Sequence, residues 1–380
     1  MANGPYQLWM EIDSAALREN CQRLTSMGKE GGRHCEILAV VKADAYGLGP
    51  AAVELMYDWG IRRFGVASSR EGIALRERGI GGEIVLLGGF FPEEVQSLLT
   101  HRLTPVISTL DDFINLSCYT ARAGRIIDYH LEIDTGMGRM GLLYSDFDER
   151  WRQEMAKHPL LRLQGVMTHF SCAESDPAYT RTQFLRFGQF LERSGLDGPT
   201  VPNILRHCSN SAGFLFFPEL RLDMVRVGIA LYGVSPTGDP DLIKKAGLKP
   251  VMSLKARIRH VKDLPAGFCV GYGATATTSC PSRIAVLPVG YAQGLPRNLS
   301  NRMAVLVRGR RARSIGVLSM DQMMVDVTEI PGVTPGDTAI VIGRDPGGEE
   351  ITVEEVARQA QTIPHEILCS LVRVKNRIVT

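Results

Sequence analysis

The sequence predicts an α/β protein with an N-terminal (β/α)8 TIM-like barrel followed by a C-terminal, mainly β domain. First, short apolar runs alternate with amphipathic stretches over the first two thirds of the 380-residue chain, and eight such pairs favour a parallel barrel. Second, beyond a connector with Pro and Gly at 236–250 the pattern changes to short β-type runs. A doubly wound open sheet is the alternative, but the G-x-G-x-x-G turn of its dinucleotide-binding form does not follow the first strand.

The elements follow from this alternation. The predicted barrel strands are short apolar runs, at 36–41, 61–66, 83–88, 102–107, 126–133, 162–168, 202–207 and 223–227. Between them amphipathic patterns predict helices at 14–24, 51–59, 70–78, 92–99, 111–122, 146–157 and 179–194. The second domain shows β runs at 251–261, 284–288, 303–307, 312–318, 323–327 and 338–342, with one helix at 353–360. We place the barrel domain at 11–245 and the β domain at 246–380, with residues 1–10 as a candidate addition to the latter.

Composition narrows the class of protein. A hydrophobic content of 44%, a charged content of 22% and a net charge of +2 are those of an ordinary soluble globular protein. They give no reason to expect a nucleic acid or a membrane surface as partner. No secretory signal and no apolar run near the ~20 residues that span a bilayer is visible, so we expect a cytoplasmic protein. The eight cysteines are scattered without a C-x-x-C pair, which predicts neither a disulfide framework nor a metal site.

Lys42 follows the apolar run at 37–41, and a segment with Tyr46 and two glycines, expected to be flexible, comes after it. Such a run is typical of a strand buried on both faces. A charged ammonium is costly there unless it is paired, and a lysine kept neutral is a nucleophile that can form a Schiff base with an aldehyde. The alternative is a strand-end lysine whose stem packs on apolar surface while its head reaches water.

Other residues of chemical interest fall at the same predicted rim, because functional residues in such barrels follow the C-terminal ends of the strands. Arg139 follows strand five, His169 strand six, Ser211 strand seven, and Arg226 and Gly228 strand eight. Phosphate is commonly held after strands seven and eight by backbone N–H groups and small hydroxyls. A Schiff-base lysine with a phosphate cradle predicts pyridoxal 5′-phosphate. Each residue alone has a structural alternative: Ser211 as a helix cap, Gly228 as a turn glycine, His169 as a structural histidine and Arg139 as a solvated loop arginine.

Eight segments spread over nearly the whole chain carry a resemblance to a known family: AVVKADAYGLG, DTGMGRMG, THF, HCSNSA, MVRVGIALYG, VGYGAT, PVGYAQG and MDQ. With them the chain closely resembles the alanine racemases, which are barrel-type (fold type III) pyridoxal-phosphate enzymes. The resemblance implies an isomerase that interconverts L-alanine and D-alanine and supplies D-alanine for peptidoglycan. It also implies a homodimer with shared active sites.

The resemblance further implies how the cofactor is held. Lys42 would carry it covalently and act as one acid/base. Its phosphate would be bound by Tyr46, by Ser211 and by the backbone N–H groups of Gly228 and Ile229.

The remaining implied roles concern the ring and the substrate. Arg226 would face the pyridine nitrogen, with His169 bonded behind it, and a guanidinium there disfavours a proton on that nitrogen. Arg139 and the backbone N–H of Met320 would bind the substrate carboxylate. Tyr272, from a partner subunit, would be the second acid/base, since racemisation needs bases on both faces of Cα. On sequence alone Tyr272 could equally be a turn aromatic between two glycines.

Two positions depart from the family pattern. Glu132 stands where many members carry a carbamylated lysine, and we expect it to hold Arg139 directly or through water. His365 stands where the family usually has a tyrosine that contacts the phosphate and narrows the entrance, which leaves a serine or broad-specificity racemase as an alternative. A barrel-type decarboxylase is disfavoured by Arg226, and a non-catalytic pyridoxal-phosphate carrier is disfavoured by the β domain with Tyr272.

Overall fold

The structure, a computed structural model, describes residues 6–32, 34–196 and 204–380. It divides into two compact units. The first, called the barrel unit below, comprises Cys21–Ala43 and Val53–Leu231. The second, called the β unit, comprises the residues up to Asn20, Asp44–Ala52 and Tyr232–Thr380. The domain limits drawn from the sequence, 11–245 and 246–380, stay a prediction.

The barrel unit contains eight parallel strands, each at a position that the sequence predicts. They are Glu36–Val40, Arg63–Val66, Glu83–Leu86, Thr104–Ile107, Ile127–Asp134, Leu161–Met167, Leu205–His207 and Met224–Val227. Successive strands pair in parallel, and the eighth pairs with the first in the register Met224↔Glu36. Backbone hydrogen bonds from Asp223 to Arg206 (3.0 Å) and from Arg226 to Ser209 (2.9 Å) join the seventh strand to the eighth. The predicted barrel is therefore confirmed; residues 202 and 203 of the predicted seventh strand lie outside the described residues.

Helices alternate with these strands as predicted. They are Ser14–Gly28, Pro50–Asp58, Ser69–Glu77, Val95–His101, Leu110–Ala123, Glu149–Lys157, Pro177–Ser194 and Ser211–Phe216. Two begin later than the sequence pattern indicates. Pro92–Glu94 is a separate 3-10 turn, and Asp148 caps the helix that follows it by accepting from the N–H of Trp151, so 146–148 lies outside that helix.

Aromatic side chains pack the helices against the barrel. Phe113, on the helix Leu110–Ala123, contacts Tyr129 of the fifth strand edge-on, with ring centroids 5.7 Å apart. It also contacts Trp151 of the helix Glu149–Lys157 at 6.1 Å. All three are almost fully buried, and burying a large apolar side chain contributes on the order of 2 kcal/mol. These contacts fix two helices beside the fifth strand, which leads into the candidate site.

The β unit is built on a sheet in the order Arg310–Arg313, Ala304–Val307, Thr338–Arg344, Met252–Arg257, Leu8–Ile12 and Arg377–Val379, with Glu350–Ile351 paired to Thr338–Arg344. A second sheet joins His260–Leu264, Ser282–Leu287 and Met323–Asp326, and a small hairpin joins Cys269–Val270 to Ala276–Thr277. Leu8–Ile12 runs antiparallel to Met252–Arg257 and parallel to Arg377–Val379. The β unit also contains the helices Pro240–Lys245, Val353–Gln359 and Pro364–Ser370.

Two predictions for this unit are wrong in detail, and one helix was missed. The run 251–261 is two strands, broken at Ile258 and Arg259, which bond to Asp337 and Val286 on two different sheets. The strand predicted at 312–318 is Arg310–Arg313, and beyond it Ser314 makes only an isolated bridge to Val325. The helix Pro364–Ser370 was not predicted, although its proline at the first helical position is a known start signal. Among the described residues no helix is both long and apolar enough to cross a membrane.

Candidate active site

Lys42 opens a left-handed helical turn at the end of the first barrel strand. Ala43 has a φ of 54°, and the next three residues, as far as Tyr46, have φ values of 53° to 57°. The segment expected to be flexible adopts here a strained backbone conformation that non-glycine residues seldom adopt. In the barrel unit the carboxylate of Glu71 fixes the start of the turn, accepting from the N–H groups of Ala43 (2.8 Å) and Ala67 (2.7 Å). The strand before the turn is buried as expected, from Ile37 to Val41, and Lys42 itself is exposed.

The rest of the turn belongs to the β unit. Arg377, from the last strand, donates to the Asp44 carboxylate at 3.0 Å and to the Gly47 carbonyl at 3.1 Å. Tyr46 is buried, and its ring lies 5.3 Å from that of Tyr232 and 6.1 Å from that of His365, measured between ring centroids. Burial raises the pKa of the Tyr46 hydroxyl above its ordinary value, so Tyr46 is a neutral hydrogen-bonding group.

Arg226 is the centre of the polar rim in the barrel unit, and its side chain is held on two sides. Nη1 donates to His207 Nδ1 (2.8 Å) and to the His207 carbonyl (3.0 Å). Nη2 donates to the carbonyls of Thr168 (2.7 Å) and Cys208 (3.0 Å) and lies 3.1 Å from His169 Nδ1. Burial lowers the pKa of Arg226 to about 10, which leaves it a cation at neutral pH. The bond expected behind Arg226 from His169 is thus present, and His207 supplies a second one that the sequence analysis did not assign.

Both histidines are kept neutral by their surroundings. Burial, and then the charge of Arg226, lower the pKa values of His169 and His207 well below the ordinary range. The charges of Arg139 and Lys42 also lower the pKa of His169. The positive charges of Arg226, Arg139 and Lys42 thus all act in the direction that keeps His169 neutral.

The loops after strands seven and eight meet at the Ser211 hydroxyl. Asn210 caps the helix Ser211–Phe216 by accepting from the N–H of Gly213, so Ser211 is free of the capping role that was its structural alternative. The Ser211 Oγ accepts from the N–H of Gly228 at 3.1 Å and from that of Ala230 at 3.4 Å. Ile229 begins a 3-10 turn, and the first N–H groups of a helix have no acceptor within it.

Arg139 stands on a loop shaped by one carboxylate. Asp134, at the end of the fifth strand, accepts from the N–H groups of Gly136 and Met137 (both 2.8 Å) and from that of Gly138 (2.9 Å). Gly136 has a φ of 135°, and a Cβ there would lie 2.4 Å from the Tyr179 hydroxyl. The loop therefore requires glycine and delivers an exposed Arg139 in a fixed backbone frame. An aspartate directly before Thr-Gly-Met-Gly is a loop-organising signal that the sequence analysis passed over.

Glu132 lies on the fifth strand, buried beneath this loop. Burial raises the pKa of its carboxyl, while the charges of Arg226 and then Arg139 oppose that rise. Glu132 therefore responds to both arginines, and more strongly to Arg226. That it holds Arg139 stays a hypothesis.

Tyr272 and Met320 lie in the β unit and are exposed, at 71% and 55%. Tyr272 opens a short 3-10 turn between Gly271 (φ 75°) and Gly273 (φ 70°), both left-handed. The two glycines thus present the phenol outward. The segment that bears Met320 is joined to the turn at 290–293 by a hydrogen bond from the N–H of Ala292 to the Met320 carbonyl (3.0 Å).

A barrel with a lysine just beyond its first strand, a serine hydroxyl bonded to amides after its eighth strand, and a β unit following it in the chain is typical of a two-domain barrel enzyme. Comparison with known proteins gives its family. The N-terminal domain of alanine racemase matches residues 12–236, and the C-terminal domain of alanine racemase matches residues 251–379. The chain belongs to the alanine racemase family, whose members are isomerases.

Individual relatives agree over almost the whole chain. The alanine racemase of Halothermothrix orenii is 39% identical over 365 residues, which cover 96% of this chain and 94% of that protein. The crystal structure of alanine racemase from E. faecalis superimposes with a TM-score of 0.90 at 31% identity and covers 100% of both chains. That of the Bartonella henselae alanine racemase, described with covalently bound pyridoxal phosphate, gives a TM-score of 0.83 at 28% identity, covering 99% of this chain and 100% of that one.

Proposed function

We propose that this protein interconverts L-alanine and D-alanine with pyridoxal 5′-phosphate, using Lys42 as the covalent anchor and one base. The observation that carries the proposal is the rim of the barrel unit. There the charges of Lys42 and Arg226 both lower the pKa of His169. Arg226 also lies on the same strand and loop as Gly228, whose N–H donates to Ser211 Oγ.

The residues fit this cofactor. The Ser211 hydroxyl and the Ile229 amide offer neutral donors of the kind that bind a phosphate dianion. The Gly228 amide, which donates to Ser211 Oγ here, would turn to the phosphate when the cofactor binds. The Arg226 guanidinium, buried and bonded to carbonyls and neutral imidazoles, has the charge to oppose protonation of a ring nitrogen beside it. Burial raises the pKa of Tyr46 and keeps its hydroxyl neutral, so the hydroxyl can donate a hydrogen bond to the phosphate. When bound, the cofactor withdraws electrons from Cα of an attached amino acid and so makes its proton removable.

In this proposal two bases exchange that proton. Lys42 Nζ works on one face of Cα, and Tyr272 Oη from a second copy of the chain works on the other. Lysine and tyrosine both have reference pKa values near 10, so each must be brought toward neutral pH by its surroundings in the assembled dimer. Tyr272 is highly exposed and lies between two glycines with positive φ, which supports its reaching into the site of another subunit.

The substrate carboxylate is proposed to bind Arg139 and the backbone N–H of Met320. The Asp134-organised loop gives Arg139 a defined origin, while its exposed side chain stays accessible to an anion. Glu132, whose carboxyl senses Arg139, would orient it.

Purified protein tests the proposal directly. We expect an absorbance band near the visible edge that borohydride reduction removes, together with D-alanine formation from L-alanine, followed with D-amino-acid oxidase. Colour without turnover would instead support a pyridoxal-phosphate carrier. Lys42→Ala and Tyr272→Ala proteins are each expected to be inactive, and mixing them should restore activity through hybrid dimers. An active dilute monomer would contradict the shared site.

A serine or broad-specificity racemase is the second candidate, because His365 lies against the Tyr46 ring. An imidazole is smaller than a phenol and leaves room for a larger substrate side chain. Racemisation rates of alanine, serine and lysine decide between the two, and alanine leading by orders of magnitude would refute the broader specificity. We further propose that D-alanine formed in the cytoplasm serves peptidoglycan synthesis, which relief of D-alanine auxotrophy in a racemase-deficient bacterium would test.

A further inference from the structure

A string of polar side chains runs through the interior of the barrel unit, away from the rim. Arg226 Nη1 donates to His207 Nδ1 at 2.8 Å, and His207 Nε2 lies 2.8 Å from His130 Nδ1. On its far side His130 Nε2 faces Glu83 Oε1 at 3.6 Å. Glu83 is paired in turn with Arg63. Both imidazoles are fully buried.

The donors in this string point in one direction. A guanidinium can only donate, so His207 Nδ1 must carry the lone pair and His207 Nε2 the proton. That proton is donated to His130 Nδ1, which leaves the His130 proton on Nε2. The Glu83 carboxylate lies 3.6 Å from this nitrogen, so it attracts the proton electrostatically at a distance longer than a hydrogen bond. Burial lowers the pKa of His130 to about 3, so it stays a neutral imidazole with one N–H. Arg226 at one end of the string and the Glu83 carboxylate at the other therefore favour the same tautomer of His207.

The barrel makes room for the string. Interiors of such barrels are usually filled with layers of branched apolar side chains, and a buried polar group costs free energy unless it is bonded. Here a Cβ on Gly165 would lie 2.7 Å from His130 Nδ1. The register between the fifth and sixth strands also shifts between Tyr129 and His130. The absence of a side chain at Gly165 on the sixth strand therefore makes room for the His130 imidazole.

We propose that Glu83 and His130 are positioning residues that fix the tautomer of His207 and thereby hold the Arg226 guanidinium toward the cofactor ring; this rests on the proposed function. With the tautomer reversed, His207 Nδ1–H would oppose a guanidinium N–H, and Arg226 would lose an acceptor on one of its two held sides. His130 acts on Arg226 only through His207, and Glu83 only through His130.

Glu83→Gln is expected to reverse the direction of hydrogen-bond donation along the string. Arg63 can only donate, so it retains the amide oxygen and turns the NH2 group toward His130. His130 Nε2 must then accept, and the proton on each imidazole moves to Nδ1. Glu36→Gln is the matched control, because Glu36 also pairs with Arg63, at 2.6 Å, from the start of the first strand and does not take part in the string.

¹⁵N-histidine NMR reports which ring nitrogen is protonated, with or without cofactor. We expect His207 and His130 protonated at Nε2 in the wild-type protein and in Glu36→Gln, and at Nδ1 in Glu83→Gln. Wild-type protonation at Nδ1, or the same tautomers in Glu83→Gln, would overturn the proposal. Wild-type protonation at Nδ1 would overturn the proposal even if Glu83→Gln does not fold.

A second readout links the tautomer to Arg226. In the holoenzyme, Glu83→Gln should alter the pH dependence of the cofactor absorbance and lower kcat for alanine about tenfold, with KM little changed. A reversed tautomer with an unaltered cofactor spectrum would overturn the link to the ring. If the wild-type protein binds no pyridoxal phosphate, the proposed function fails, while the NMR result still decides the direction of the string.

Discussion

The left-handed turn after Lys42 predicts an unusual stability effect, in which Ala43→Gly stabilises the protein. Glycine in place of alanine normally destabilises, because the unfolded chain gains about 0.5–1 kcal/mol of conformational freedom. At a φ of 54°, however, a Cβ costs about 1–2 kcal/mol that glycine avoids. Ala43 is exposed, so no packing is lost, and its N–H bond to Glu71 is retained. The net expectation is a gain of roughly 0.5–1 kcal/mol.

Ala121→Gly is the matched control. Ala121 is also exposed, but it lies in the right-handed helix Leu110–Ala123, where glycine costs about 1 kcal/mol. Urea unfolding followed by circular dichroism should place the midpoint of Ala43→Gly at or above the wild type and that of Ala121→Gly below it, with unchanged slopes. If Ala43→Gly loses as much stability as Ala121→Gly, the left-handed turn is not the native conformation and the argument fails.

Three further predictions concern the site and the barrel. Ser211→Ala should weaken cofactor binding about tenfold in equilibrium dialysis, since it removes one hydrogen bond near a charged group, whereas the exposed Ser145→Ala should not; equal affinity would exclude Ser211 from the cradle. Gly165→Ala should cost about 1–3 kcal/mol through overpacking against an imidazole, while Gly188→Ala, which meets open space in a helix, should be neutral or stabilising; equal unfolding midpoints would contradict the packing. Glu132→Gln should lower kcat/KM for alanine, and unchanged kcat and KM would refute its role. Burial raises the pKa of Glu132 in the folded state, so between the ordinary and the raised pKa the folded state binds more protons than the unfolded state. The free energy of unfolding of the wild type, relative to that of Glu132→Gln, should therefore fall as pH rises through this range.

The barrel was accessible from sequence because its strands are buried on both faces. Such strands are continuous apolar runs, and the runs at 36–41 and 223–227 lie within a residue or two of the strands observed. The rim residues could be predicted for a related reason, since each lies at the end of one of these runs or within a few residues after it. His207 was within a recognised segment but was given no role, because nothing in HCSNSA shows which side chain points at Arg226.

Other features depend on information that a linear pattern does not contain. Four successive left-handed residues, including two alanines, have no sequence signature, since alanine favours the right-handed helix. Glu83 and His130 lie on the third and fifth strands and are brought together only by the register of the barrel. Arg377, almost at the chain end, contacts the turn 330 residues before it. Contacts of this range are fixed by tertiary packing alone.

The bonding of Arg226 has a kinetic consequence. Among the described residues its hydrogen bonds go to three carbonyls and two imidazoles, neutral groups that bind Nη1 and Nη2 without cancelling the charge. Together with the charges of Lys42 and Arg139, it gives the barrel mouth a positive potential that attracts anions. Dissolved salt screens this attraction, and at 0.1 M the screening length is about 10 Å. Capture of an anionic cofactor by the newly folded chain should therefore slow as ionic strength rises. Electrostatic attraction would then set how quickly the protein matures, whereas the close contacts of the cradle would set how long the cofactor stays.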